Sequence, residues 1–176
     1  MSAVQLLPKY TYDDYVQWEG KWEVIRGIPY AMAPAPVLKH QYLASNLTTE
    51  FNIALKKCKK CKVYQPIDYK ISDETIIQPD VLIVCKEPKK KFLDFPPALV
   101  IEILSPATAM KDRHTKFDIY QQQKIPYYLI VSPEEEAIEV YELENEEYVL
   151  RKKEHAFSYT FVLESCEATV DFNEIW

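Results

Sequence analysis

The 176-residue chain is 48% hydrophobic and 13% aromatic, carries a formal net charge of −6, and contains only two glycines and four cysteines. This composition supplies ample apolar surface for a core, so it excludes intrinsic disorder, collagen-like repeats and a miniprotein held together mainly by disulfides. The negative charge argues against binding long nucleic acid through overall charge alone, because that affinity comes from lysine and arginine neutralising phosphates. At this length we expect one domain spanning residues 1–176.

No segment of the sequence predicts a membrane helix or a secretory signal. No stretch approaches the roughly 18 apolar residues that a membrane helix needs, and the N-terminal segment lacks a basic region ahead of an apolar run. Cys58 and Cys61 lie among lysines, and four cysteines in a chain of this size are more typical of free thiols than of a disulfide framework. Their CxxC spacing is that of half a zinc site, but the chain has no second half. We therefore expect a cytoplasmic protein with no membrane partner.

The spacing of apolar residues predicts two longer helices. From Val37 to Lys57, apolar side chains recur every four residues, which is typical of an amphipathic helix. A second helix is expected from Ala109 to Gln123, and Ile125-Pro126 ends it. A short helix is expected after Thr11, which resembles an N-cap followed by acidic residues in the first turn.

Four apolar segments predict strands of a central sheet. They are rich in β-branched residues, and they are Val63–Ile71, Asp80–Val84, Leu99–Leu104 and Tyr127–Val131. Two extra β-hairpins are expected, one from Trp22 to Met32 around Gly27 and one from Ala137 to Lys152. Because apolar strands are interspersed with helices, we expect an α/β or α+β fold with a mixed central sheet flanked by helices.

Two carboxylates interrupt the apolar strands. Asp80 opens its strand, and Glu102 is the only charged residue in its strand. An isolated buried carboxylate is costly, and two that converge need a cation, for which a divalent metal ion that prefers oxygen ligands is suited. Asp80 alone is also consistent with a turn residue after Pro79, and Glu102 alone with a buried ion pair. Occurring together on successive strands, the two acids favour a functional site.

The second predicted helix adds three candidate residues. Asp112, Lys116 and Tyr120 are spaced at i, i+4 and i+8, which places them along one helical face. One interpretation is a surface Asp–Lys pair with Tyr120 packed on the sheet. In the other, the Lys116 ammonium reaches the Glu102 carboxylate, where it would orient or activate a water molecule.

Several blocks of the sequence resemble a known family, the restriction endonuclease family that is abundant in cyanobacteria, which is a branch of the PD-(D/E)xK nuclease superfamily. The matching blocks are Trp22-Glu-Val-Ile-Arg-Gly27, Gln78-Pro-Asp-Val81, Val100-Ile-Glu-Ile-Leu-Ser-Pro106 and then Asp112, Lys116 and Tyr120. The resemblance extends roughly from Tyr10 to Tyr141. It implies a restriction endonuclease-like fold, a Mg²⁺ cofactor for which Mn²⁺ substitutes, and metal-dependent hydrolysis of phosphodiester bonds in DNA.

The resemblance also implies a role for individual residues. Asp80 matches the aspartate of the PD motif and Glu102 matches its second acid, so both are implied as metal ligands, helped by the main-chain carbonyl of Ile103. Glu23 matches an acid on the first strand that supports the metal or its water. His40 matches a recurrent histidine position, and it either faces the site or lies with a solvent partner at the start of its helix.

The sequence departs from the orthodox superfamily motif at one position. Leu104 stands where the motif has its catalytic lysine, two residues after the acid and on the same face of the strand. The resemblance therefore implies Lys116, on the following helix, as the catalytic lysine, with Asp112 and Tyr120 in support. The missing strand lysine leaves an alternative open, which is a catalytically inactive nucleic-acid-binding protein or oligomeric scaffold that retains the nuclease fold.

Two further features concern partners. The C-terminal half is rich in tyrosine, a residue enriched at interfaces, which favours a homo-oligomer. The segment Lys56–Lys62 contains five lysines and Lys86–Lys91 contains four. Each lysine run is consistent with contact to a phosphate backbone, and also with a plain solvated surface.

Overall fold

A mixed six-stranded sheet lies at the centre of the fold. The computed structural model describes residues 7–32, 37–164 and 166–176. The strands are β1 (Trp22–Ile25), β2 (Ile28–Ala31), β3 (Lys62–Tyr64), β4 (Tyr69–Ser72), β5 (Thr75–Ile77), β6 (Val81–Val84), β7 (Leu99–Ile103), β8 (Tyr127–Ser132), β9 (Ala137–Glu144), β10 (Glu147–Glu154), β11 (Ser158–Leu163) and β12 (Cys166–Asp171). The helices are α1 (Tyr12–Tyr15), α2 (Leu38–Ala54) and α3 (Phe117–Gln122), with a π-helical turn over Lys111–Lys116 directly before α3 and short 3₁₀ turns at Leu55–Lys57 and Phe172–Glu174.

None of the helices in the described segments is long and apolar enough to cross a membrane. Residues 1–6, on which part of the expectation about a secretory signal rests, lie outside those segments.

The strands form three sheets. The central sheet has the order β10-β9-β8-β7-β6-β3, in which only the β7–β8 pair is parallel. A four-stranded antiparallel sheet has the order β2-β1-β5-β4, and β11 pairs with β12. The expected mixed central sheet with helices and additional hairpins is therefore confirmed.

Strand β7 lies in the middle of the core, because all five of its residues are buried. Its alternate side chains point to opposite faces of the sheet. On one face they pack with apolar residues of α2, which are Leu43, Leu47 and Phe51. On the other face Val100 packs with Ile119 and Tyr120 of α3. Glu102 shares this second face, so its carboxylate is enclosed between the sheet and the segment around α3.

Most predicted elements agree with the structure to within a few residues, but one predicted strand is wrong. The segment Val63–Ile71 forms two strands, β3 in the central sheet and β4 in the four-stranded sheet. Pro66 lies between them, and a proline cannot donate a hydrogen bond to a strand ladder. The predicted hairpin of β1 and β2 is present, and its turn residues Arg26 and Gly27 both have positive φ, as a two-residue turn of type I′ requires.

All four cysteines form disulfides, so the expectation of free thiols is wrong. Cys58 is bonded to Cys166, and Cys61 is bonded to Cys85. The partners are 108 and 24 residues apart in the sequence, which is why the CxxC spacing did not indicate them. Pairing of β3 with β6 brings Cys61 beside Cys85, because Lys62 lies opposite Val84. Both cysteines of the CxxC segment are thus engaged with sulfur partners, and the zinc half-site interpretation is excluded.

Many tyrosines of the C-terminal half lie inside the fold. Tyr127 and Tyr128 are buried, while Tyr141 and Tyr148 are half-buried and pack edge-on or tilted against Phe117 and each other. Their abundance is therefore explained in large part by core packing. The homo-oligomer stays a prediction.

Reduction of the disulfides is expected to destabilise the fold. In the chain-entropy description, cross-links across these spans each contribute about 3 to 5 kcal/mol to the free energy of unfolding. Adding a phosphine reductant should therefore lower the thermal midpoint by roughly 10 °C or more. A Cys58→Ser/Cys166→Ser variant keeps only the disulfide between Cys61 and Cys85. Adding the reductant should therefore lower its thermal midpoint by less than it lowers that of the wild type. Detection of close to four reactive thiols in the denatured, unreduced protein would contradict the pairing.

Candidate functional site

Acidic side chains from separate elements converge around the ammonium group of Lys116. Its Nζ lies 2.8 Å from Oε1 of Glu23 on β1 and 2.9 Å from Oε1 of Glu102 on β7. Asp112, in the same π-helical turn as Lys116, has its Oδ1 3.8 Å away from that ammonium. All four side chains are buried. The sequence interpretation in which Lys116 reaches Glu102 therefore describes the structure, and the surface Asp–Lys pair does not.

Asp80 reaches the same site through the pairing of β6 with β7. Val81 lies opposite Ile101, and continuing this antiparallel register by one residue places Asp80 opposite Glu102. The backbone N–H of Ile103 donates to Oδ2 of Asp80 at 2.8 Å, which ties the start of β6 to the end of β7. The two acids that the sequence singled out are thus neighbours on one face of the sheet.

Glu23 joins the four-stranded sheet to this site. Its Oε1 accepts a hydrogen bond from the backbone N–H of Gln78 at 2.9 Å, and its Oε2 lies 2.6 Å from Nζ of Lys111. Burial acts to raise the pKa of Glu23, but the charges of Lys116 and Lys111 outweigh burial and lower the pKa below its usual value. Glu23 is therefore an ionised carboxylate held between two ammonium groups.

Lys116 and Glu102 form a second buried ion pair of the site. Burial opposes the charged form of Lys116, yet Glu102, Glu23 and Asp112 together raise the pKa of the lysine well above its usual value. Burial raises the pKa of Glu102 well above normal despite Lys116, and the neighbouring acids add to this effect. The hydroxyl of Tyr120 donates to Oε1 of Glu102 at 2.5 Å, so that oxygen receives two hydrogen bonds.

The π-helical turn explains why sequence reasoning missed Lys111. In an α-helix, residues five positions apart are separated by about 140° around the axis, so Lys111 and Lys116 would not face one carboxylate. A π-helical turn closes its hydrogen bonds over five residues, which brings such positions to the same side. Both ammonium groups accordingly contact Glu23. The i, i+4, i+8 argument assumed a continuous α-helix and so contained no signal for Lys111.

Two contacts fix this turn on the central sheet. The hydroxyl of Tyr128 on β8 donates to the backbone carbonyl of Asp112 at 2.9 Å. Arg113 donates from Nη1 to both carboxylate oxygens of Glu139 on β9, at 2.9 and 3.2 Å. Burial acts to raise the pKa of Glu139, but hydrogen bonds from Tyr141 and Arg113 lower it overall. The turn that carries both lysines is therefore held by side chains from two strands.

His40 faces the acidic site from the first turn of α2. Its Nε2 lies 3.2 Å from Oδ2 of Asp80, and only 12% of its side chain is exposed. Burial acts to lower the pKa of His40, but the hydrogen bond and charge of Asp80 raise it overall. Of the two positions that the sequence allowed for this histidine, the structure shows the one that faces the site.

Two buried polar atoms at this site are unpartnered. Within the described segments, Nδ1 of His40 and Oδ1 of Asp112 are the buried side-chain atoms without a hydrogen-bond partner. Asp80 uses Oδ2 for the contacts with Ile103 and His40, and Glu102 uses Oε1 for both of its hydrogen bonds. Carboxylate oxygens therefore remain that can contact an additional cation.

The charges and donor atoms at the site suit a divalent metal ion. Four acids, Glu23, Asp80, Glu102 and Asp112, face two lysines, which leaves an excess of two negative charges when all are ionised. Mg²⁺ prefers carboxylate and carbonyl oxygens. In the described part of the chain, however, no group of three or more His, Cys, Asp or Glu side chains is already spaced to hold a metal ion. The donor chemistry fits Mg²⁺, although the carboxylates as described do not surround a common metal position.

Comparison with known proteins assigns the family. Residues 12–168 match the family model Uma2, which is described as "Putative restriction endonuclease". The chain belongs to this family. The matched range contains all the acids and both lysines of the site described above, and the family agrees with the resemblance found in the sequence blocks.

Similar proteins include one from Synechocystis sp. and one from Anabaena variabilis. An uncharacterized protein of Synechocystis sp. is 32% identical over 144 residues, which cover 76% of this chain and 74% of that protein. A crystal structure described as a putative nuclease belonging to DUF820, from Anabaena variabilis, has a TM-score of 0.68 at 18% identity. The match covers 80% of this chain and 83% of that one. At this identity the second similarity establishes a shared fold.

Replacing Lys116 with methionine is expected to destabilise the protein by about 3 to 5 kcal/mol at neutral pH, because Glu23 and Glu102 lose their buried cation. In that variant the pKa of Glu102 rises further above its unfolded-state value. Its destabilisation is then full above the folded-state pKa and is relieved as pH falls through it, since protonation favours the folded state. Urea unfolding at several pH values measures both effects.

The control for this experiment is Lys124→Met. Lys124 is an exposed lysine that pairs with the exposed Glu146, so its loss should change the free energy of unfolding by less than about 1 kcal/mol. Equal stability of the Lys116→Met variant and this control at neutral pH would contradict the buried ion-pair description.

Proposed function

We propose that this protein is a Mg²⁺-dependent endonuclease that hydrolyses phosphodiester bonds of DNA. The observation that carries the proposal is the cluster of the buried acids Glu23, Glu102 and Asp112 around Lys116, with the half-buried Asp80 opposite Glu102. Membership of the restriction endonuclease family supports nuclease activity. The acidic donor set and the resemblance to the PD-(D/E)xK superfamily support the metal, and that resemblance supports the DNA substrate.

Asp80 and Glu102 would hold the metal, with the main-chain carbonyl of Ile103 as a further oxygen donor, and Mn²⁺ would substitute for Mg²⁺. When bound, the metal polarises the phosphate and lowers the pKa of a bound water molecule. Oδ1 of Asp80 and Oε2 of Glu102 are the oxygens outside the present hydrogen bonds. The charge excess of the cluster is the physical reason that these residues would accept a cation.

Lys116 would act as a fixed positive charge beside the attacking water and the scissile phosphate. Its raised pKa keeps the ammonium protonated at neutral pH, so it serves as a donor of hydrogen bonds and not as a base. Glu23 orients this ammonium, and the Tyr120 hydroxyl fixes the Glu102 carboxylate. His40 holds Asp80 through Nε2. Asp112 lies beside Lys116 with Oδ1 free of hydrogen bonds, so it would act as a supporting acid.

A second candidate function is nucleic-acid binding without turnover. The observation that favours it is the engagement of Lys116 by Glu23 and Glu102, together with a buried leucine at position 104 where the superfamily motif has its lysine. In this case the site would bind a metal ion and the protein would bind DNA, but it would not cleave the DNA with either Mg²⁺ or Mn²⁺. An oligomeric scaffold, by contrast, would bind no metal.

Asp80→Asn is the variant that tests the proposed site. Asparagine keeps the size of the side chain and the oxygen that accepts the Ile103 N–H, but it removes the negative charge. We expect loss of the heat of Mn²⁺ binding in calorimetry, and a fall of more than about a hundredfold in cleavage of a DNA duplex. Asp118→Asn, which changes an exposed acid on α3, is the matched control and should behave as wild type. Metal-dependent cleavage that survives in Asp80→Asn would refute the assignment.

Metal affinity is expected to rise with pH. Burial raises the pKa of both Glu102 and Asp112, so protons compete with a metal ion for these groups at higher pH than they do for ordinary carboxyl groups. The affinity should therefore increase as pH rises through these pKa values and level off above them. Calorimetric Mn²⁺ titrations between about pH 5 and pH 8, in two buffers of different ionisation enthalpy, count the protons released. Affinity that falls with increasing pH would contradict this protonation scheme.

A further inference from the structure

The two lysine runs, distant in sequence, meet at one edge of the central sheet. Strand β3 is the edge strand, and it pairs antiparallel with β6 so that Lys62 lies opposite Val84. The end of the run Lys56–Lys62 is therefore adjacent to the start of the run Lys86–Lys91. The disulfide between Cys61 and Cys85 joins the two runs covalently. We call the nine lysines of these two runs the lysine surface.

The lysine surface contains a cavity in which cations predominate. The cavity has a volume of about 250 Å³ and is lined by Lys59, Lys60, Lys62, Lys86, Cys85 and Glu87. Four lysines and a single acidic residue thus line this cavity. All nine lysines of the surface are exposed, so their charges are accessible to a ligand.

The charges of the lysine surface are largely uncompensated by the protein. Among the ion pairs of the described residues, only Lys90 of these nine takes part, with Asp94. Lys86 lies 5.9 Å from the centre of the Phe95 ring, which contacts the cation without neutralising it. A concentration of like charge in a chain whose net charge is −6 creates a strong local positive potential, which attracts polyanions.

A role in preventing aggregation accounts for only part of this surface. Lysines on an edge strand block pairing with the edge of another sheet. Lys62 lies on β3 and satisfies that role by itself. Lys59, Lys60 and Lys86 lie outside the strands, and they nevertheless converge on the same cavity.

We propose that the lysine surface binds the phosphate backbone of duplex DNA at a contact separate from the acidic site. This inference rests on the proposed function for the identity of the ligand. Asp80 and Lys86 are six residues apart along β6 and its flanks, so at most about 20 Å separates them. That distance corresponds to about six base pairs at 3.4 Å each. The distance between Asp80 and the lysine surface is therefore within the length of a short DNA segment.

The test compares two double variants with the same change in charge. Lys59→Glu/Lys86→Glu reverses one lysine from each run of the lysine surface. Lys124→Glu/Lys152→Glu reverses two lysines elsewhere, and Lys152 lies on β10, at the opposite edge of the sheet. Lys59, Lys86 and Lys124 are exposed and Lys152 is half-buried, and circular dichroism verifies that each variant is folded. Binding of a fluorescent duplex of about 20 base pairs is measured by anisotropy with EDTA present, between about 50 and 200 mM salt.

The expected result is a loss specific to the lysine surface. Lys59→Glu/Lys86→Glu should weaken binding at least tenfold at the lowest salt concentration and reduce the slope of log Kd against log salt by about two, since each lost phosphate contact contributes about 0.9. The control pair should keep the wild-type slope. An equal loss in both pairs, or wild-type binding by Lys59→Glu/Lys86→Glu, would overturn the inference. So would binding that depends on these lysines for phosphatidylserine vesicles and not for DNA.

Failure of this inference can be distinguished from failure of the proposed function. DNA binding that depends on Lys59 and Lys86, without cleavage in Mg²⁺ or Mn²⁺, would support the role of the lysine surface in binding DNA and refute the proposed nuclease activity. Cleavage that depends on Asp80, with unchanged DNA binding by Lys59→Glu/Lys86→Glu, would support the proposed nuclease activity and refute the role of the lysine surface in binding DNA.

Discussion

The ion pairs of Lys116 are the interaction on which the arrangement of the site depends. This buried ammonium contacts Glu23 from the four-stranded sheet and Glu102 from the central sheet, and it arrives on a π-helical turn anchored to β8 and β9. One charge thus fixes the relative positions of three parts of the fold. Because removing one member of a buried ion pair leaves an uncompensated charge, the lysine also maintains stability. Because Lys116 both positions the acids and stabilises the fold, it restricts how freely the site can rearrange.

The acids around Lys116 help to hold the fold together, but the two lysines of the site do not neutralise all of their negative charge. Lys111 and Lys116 balance two of the four acids, and the unpartnered Oδ1 of Asp112 lies next to Lys116. A protein core normally pairs such atoms, and exceptions are common where a ligand or ion belongs. The surplus of carboxylates is thus a cost to the fold that a bound cation would offset. If the proposed metal binds, stability and activity would be coupled through this balance of charge.

The distribution of charge over the molecule is strongly asymmetric. Acids concentrate at the start of β6, around Asp80, while lysines concentrate beyond its other end, around Lys86. The net charge of −6 is therefore a poor guide to the potential at any one surface. An acidic site for a metal and a basic surface for phosphates are complementary requirements of an enzyme acting on nucleic acid, and both are compatible with an acidic chain overall.

Apolar patterning was sufficient to predict the mixed sheet and the long helix α2, and it singled out Asp80 and Glu102 because charged residues within buried strands are unusual. That the two acids converge was decided by the pairing of β6 with β7. Only the tertiary structure revealed the contact of Lys111 with Glu23, since a π-helical turn has no clear spacing in the sequence. The disulfides and the lysine surface likewise join residues far apart in the chain, through the pairing of β3 with β6 and the packing around it. Local patterns report which residues are buried, whereas partners across sheets are decided by topology.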